Sequence, residues 1–91
     1  FTRASLVAAD FSFARMNRAN FNGAKATMAS FEKAWMEKCS LVDTNFTNAN
    51  LQEAKMNMVD FDGSDIRGAR VHYATFQDAN FDGCTGCPVG W

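Results

Sequence analysis

Large apolar residues recur at every fifth position of this 91-residue chain, in one frame from Phe1 to Phe81. The series opens Phe1, Leu6, Phe11, Met16, Phe21 and breaks its size rule only at Ala26. Two residues before each centre runs a second register of mostly small side chains, from Ala4 and Ala9 through Cys39, Thr44 and Ser64 to Cys84. A period of five excludes the ordinary elements. On an α-helix it advances each side chain by a net ~140°, so the centres would wander round the circumference. On a flat strand an odd period sends successive centres to opposite faces. Within one unit, however, the small residue and the centre lie two apart and share a side of a short extended segment. Both registers face one interior only if the chain turns the same way in every unit. The pattern therefore predicts a solenoid.

The remaining registers read as its outer surface. The position before the centre holds Asp10, Asn20, Ser30, Asn50 and Asp60 among others, side chains that bond nearby backbone in tight turns. Gly23, Gly63, Gly68 and Gly83 share the register two after the centre, where a turn can demand φ > 0. The single proline, Pro88, lies beyond the last clear unit, where a missing N–H does no harm to a backbone ladder.

Units such as Ala19-Asn20-Phe21-Asn22-Gly23, Ala49-Asn50-Leu51-Gln52-Glu53 and Ala79-Asn80-Phe81-Asp82-Gly83 resemble the A(D/N)LXX signature of the pentapeptide-repeat family, and the likeness covers residues 1–83. The resemblance implies an all-β fold, a right-handed quadrilateral β-helix of about four coils, each made of four units. Residues 84–91 would then form a C-terminal cap, with Trp91 or Val89 folded over the last coil. Residues twenty apart would stack in columns, among them Met16, Met36, Met56 and Phe76. That methionine ladder is adaptable core filling. In the column Leu6, Ala26, Phe46, Ile66, the small Ala26 predicts a cavity or an inward lean of Met28.

A globular core would be marginal at this length, whereas a solenoid is stabilised coil by coil. The chain opens inside a repeat at Phe1, which predicts either a missing N-terminal segment or end-to-end homo-oligomerisation through the uncapped first coil. No apolar run could span a membrane. Net charge is −1, but six basic and four acidic residues in 1–45 face three basic and six acidic in 46–91. That is a weak dipole with no basic stripe, which argues against nucleic-acid binding.

Outward aromatics are the best pointer to function. Phe13 is the only phenylalanine off the centre register, and Trp35 interrupts an otherwise polar one. In columns, Phe13, Lys33, Glu53 and Tyr73 line one corner, and Arg15, Trp35, Lys55 and Thr75 run beside it. Trp35 between Arg15 and Lys55 predicts a cation–π arrangement. Aromatics with cations are the composition of interface hot spots. Phe13, Arg15, Trp35, Lys55 and Tyr73 are thus the candidate interaction surface.

Cys84 and Cys87 form a C-x-x-C pair after the array. It admits an end cap with unpaired thiols, a disulfide that locks the cap, or redox or metal chemistry, in that order. No second C-x-x-C or paired histidine completes a metal set. His72 reads as a surface residue, and the aspartates between Asp60 and Asp82 do not match a calcium loop.

A solenoid has convex faces and no cleft from which water is excluded. The chain is therefore read as a non-enzymatic structural or protein-interaction module, with no catalytic residue, cofactor or metal, and with an unidentified protein partner rather than nucleic acid or membrane. The resemblance also raises a DNA-mimicking, gyrase-binding role, but those relatives are strongly negative and this chain is nearly neutral. Relatives of this kind imply a soluble protein of the bacterial cytoplasm, periplasm or thylakoid lumen.

Overall fold

The computed structural model describes residues 1–87. One local motif repeats along them. After each centre the chain turns, and the small residue's N–H donates back to the centre's carbonyl, as from Ala4 to Phe1 at 3.0 Å and Ala24 to Phe21 at 2.9 Å. The residue two after the centre has positive φ throughout, 57° at Arg3, 66° at Phe13 and 74° at Gly23. A single left-handed residue in the third place of a closed four-residue turn marks type II geometry. Glycine was expected where φ is positive, and it holds four of these places. The other units put side chains there, including Met28, Lys38 and Tyr73.

Between turns, single residues pair in parallel with partners twenty positions on, from Ser5–Lys25 to Asp65–Thr85. Four units therefore make each coil. Three N–H groups of each inner unit join this ladder. Leu6 donates to Lys25, Lys25 to Ala4 and Arg3 to Asn22, at 2.6, 2.9 and 2.8 Å. A fourth closes the turn. The fifth, on the residue just after the centre, lies toward the surface and has no place in the ladder. Side chains take it. Asp10, Asn20, Asn45, Asn50, Asp60, Asp65 and Asn80 each accept the N–H two residues on, at 2.8 to 3.1 Å. The Asp/Asn preference of the repeat thus follows from one unladdered donor per unit.

The inward registers build the core. Phe21, Phe31, Phe46, Phe61, Met36, Met56, Leu41 and Leu51 are fully buried. Phenylalanines stack along columns, Phe1 on Phe21 at 5.1 Å and Phe11 on Phe31 at 5.2 Å, while Phe21 and Phe31 meet edge to face at 5.9 Å across the coil. Met28 does not lean inward beside Ala26; it is 58% exposed. Phe46, one coil further on, instead reaches Phe31 edge-on at 5.5 Å, on the side where Ala26 leaves room. The polar members of the small register donate to a centre carbonyl one coil back: Cys39 Sγ to Met16 at 3.0 Å, Thr44 Oγ1 to Phe21 at 2.7 Å, and Ser64 Oγ to Leu41. Burial therefore strands none of them.

The frame ends at Thr85, the last bridged residue. Gly86 stands where the next centre would be, with φ of +82°, and a Cβ there would lie 2.9 Å from the Arg67 backbone nitrogen. Only glycine fits so close to backbone. The extents are 29 × 23 × 22 Å, so the stack is little longer than it is wide.

Candidate interaction surface

Each side of the coil displays one column of before-centre residues. Three columns contain the capping types: Asp10, Ser30 and Asn50 in one, Asn20, Ser40, Asp60 and Asn80 in another, Asn45 and Asp65 in a third. The fourth does not. Arg15, Trp35, Lys55 and Thr75 follow one another up it, joined by backbone bridges. None of these accepts the fifth N–H of its unit. In two of its four units the acceptor comes from twenty residues away: Asn17 takes the N–H of Glu37 and Asn57 that of Gln77, each at 3.0 Å, as Asn22 takes that of Val42 at 2.9 Å beside Ser40. Two asparagines at the corner thus free the Trp35 and Thr75 places for other side chains.

Aromatic and cationic groups occupy the released surface. Lys55 Nζ lies 3.8 Å from the centre of the Trp35 ring. The expectation set Trp35 between two cations; Lys55 covers the ring, while Arg15 is tied to Trp35 through the backbone. Along the next corner, Lys33 Nζ sits 5.3 Å from the Phe13 ring and 4.0 Å from Glu53. Phe13 is 66% exposed, Tyr73 87% and Trp35 39%. Phe13, Arg15, Trp35, Lys55 and Tyr73 therefore share one side of the molecule. Asn17, Arg18, Glu37, Lys38 and Met58 line an open groove of about 500 Å³ along the other edge of that side. Sequence columns give the stack but not this groove, because Arg18 and Lys38 look like ordinary solvated charges.

Cys84 and Cys87 are joined by a disulfide and pack against the end of the core. The sequence ranks unpaired thiols first for this pair, and the structure pairs them instead. The change of frame at Gly86 turns Cys87 back toward Cys84, whereas a continued frame would have pointed it outward. The proposed covering of the last coil by Val89 or Trp91 lies outside the described residues. His72 is exposed. No group of three or more metal-ligating side chains comes together among the described residues. No helix there is long and apolar enough to cross a membrane.

A family model described as a pentapeptide repeat region matches residues 14–86. The chain belongs to the pentapeptide-repeat family. Among curated proteins none matches it. Two solved structures share its fold. One is a pentapeptide repeat protein of the Arabidopsis thaliana thylakoid lumen, 23% identical, with a TM-score of 0.54 over 91% of this chain and 65% of that one. The other is trypsin-treated QnrB1, a plasmid-mediated fluoroquinolone resistance protein, 18% identical, with a TM-score of 0.56 over 82% and 49%. This pentapeptide-repeat chain thus spans less than two thirds of either relative's length.

Proposed function

We propose that this chain is a non-enzymatic binding module, a right-handed square β-helix of about four coils that presents the Phe13–Trp35–Tyr73 side to a protein partner. One observation carries the reading. The column Arg15, Trp35, Lys55, Thr75 holds no Asn, Asp or Ser, whereas its three counterparts hold them beside Lys25 and Arg70, and Asn17 and Asn57 serve two of its four units from the corner. Folding alone favours Asn or Asp there; Lys25 and Arg70 put cations in the same register on other sides, but Trp35 is its one aromatic and answers another requirement. Exposed aromatics beside cations suit a desolvated protein contact.

The likeness to QnrB1 is one of fold. A surface mimicking DNA needs a continuous negative field, and Arg15, Lys33 and Lys55 deny one to this side.

The test is an affinity capture from source lysate with the wild-type chain and a Phe13→Ala/Trp35→Ala variant, both checked for folding by circular dichroism. A protein retained by the first and lost by the second is the expected result. Equal retention by both would place the interface elsewhere.

A further inference from the structure

We infer that the partner segment seated on this side is acidic, an extended stretch of protein carrying Asp or Glu together with apolar side chains. The inference rests on the reading of this side as an interface and adds the chemistry of the occupant.

Its first support is the distribution of unpaired charge. Among the described residues the ion pairs are Lys33–Glu53 and Arg67–Asp65. Seven cationic side chains therefore lack an anionic partner, and four of them, Arg15, Arg18, Lys38 and Lys55, follow this column and the groove beside it, while Arg3, Lys25 and Arg70 lie on other sides. This side carries Arg15, Arg18, Lys33, Lys38 and Lys55 against Glu37, Glu53 and Asp78, and the other seven carboxylates belong to other sides of the coil. A cationic side on a chain of net charge −1 is a local arrangement, not a by-product of composition.

The groove is the second support. Arg18 and Lys38 rim it, and Met58, 45% exposed, supplies an apolar wall. Asn17 has committed its carbonyl oxygen to the N–H of Glu37, which leaves its amide hydrogens as donors toward the groove. Two cations, an amide donor and a thioether match a carboxylate beside an aliphatic or aromatic side chain. They match a nucleic-acid strand poorly. Glu37 also lines the groove, and the Trp35 face on which a base would stack is covered by Lys55 at 3.8 Å.

The experiment selects displayed random twelve-residue peptides on the immobilised full chain, then measures the recovered peptides in solution by fluorescence anisotropy. Enrichment of sequences combining Asp or Glu with apolar residues is expected. Their affinity should fall roughly three- to tenfold in an Arg18→Gln/Lys38→Gln variant and weaken with added salt. Replacing their acids by Asn and Gln should produce a similar loss. Neutral or basic enrichment, no enrichment, or unchanged affinity in the double variant would each overturn the inference. Peptides lost in Phe13→Ala/Trp35→Ala but kept in Arg18→Gln/Lys38→Gln would leave the interface standing and remove only its acidic preference. Tight, salt-sensitive binding of oligothymidylate in preference to every peptide would replace the protein partner with a nucleic acid.

Discussion

Two inward residue choices show how a tightly wound coil constrains individual side chains. Centres are large because four of them must meet across the coil, and their small companions leave the backbone room to turn. Cys39 occupies one of the small places, buried, with its thiol donating to the Met16 carbonyl. Burial raises that thiol from 9.0 to about 11, because a thiolate there would lose its water. The unfolded thiol ionises first as the pH climbs. Its contribution to stability is therefore complete below pH 9.0 and disappears as the pH approaches about 11. Cys39→Ala installs the residue most common in this register and removes the ionising group. Urea midpoints taken across that window should fall less steeply for Cys39→Ala than for the wild type. Parallel slopes would mean that the thiol titrates alike in both states.

The element that repeats is a turn plus a one-residue bridge, and its weak point is the fifth N–H. Loss of its acceptor should cost about 1 kcal/mol, the usual net worth of such a bond. Asn50→Ala removes an acceptor within its own unit, and Asn17→Ala removes the one that serves Glu37 a coil away. Both variants should lose comparable stability by urea denaturation, although Asn17 sits in a register where the sequence shows no preference for asparagine. An unaffected Asn17→Ala would mean that water serves Glu37 equally well. The contrast between the two asparagines shows what was legible in the sequence. Period five, inward registers and twenty-residue columns follow from side-chain size alone. Asn50 announces its role because its neighbours in register share it. Asn17 does not, because its partner is remote and its function is a substitution for what Trp35 cannot do. Left-handed conformation at Met28, Lys38 and Tyr73 was equally hidden. Long side chains rarely adopt it at ~1–2 kcal/mol each, and at Met28 and Lys38 the laddered N–H, donating to Thr47 and Asn57, helps to hold it. The disulfide was hidden for another reason: Cys87 approaches Cys84 only because Gly86 leaves the frame.

At the scale of the whole molecule, stability is set by neighbours in the stack. Coils between Phe21 and Ile66 bury their inward residues fully, while Phe11, Met16, Val71 and Phe76 are half-buried. In a stack whose units touch only those above and below, cooperativity fades toward the ends, and amide exchange reports that gradient directly. Phe11 and Phe31 offer a controlled comparison. They occupy the same column and stack on each other at 5.2 Å, so truncating either removes the same ring pair. Each also meets two further rings edge-on, Phe11 those of Phe1 and Phe21, and Phe31 those of Phe21 and Phe46, so they differ in burial: the loss of fully buried Phe31 leaves an enclosed cavity. Phe31→Ala should therefore cost ~3–5 kcal/mol, as for a buried aromatic. Phe11→Ala should cost roughly half as much, since water enters the space and no void remains. Exchange should separate the two further. Phe11→Ala is expected to quicken amides in residues 1–20 and leave those near Leu51 protected, whereas Phe31→Ala quickens both. Uniform acceleration by both variants would mean that the coils unfold as a single unit, and that the Phe13–Trp35 side, spread over several coils, could form only when all of them are in place.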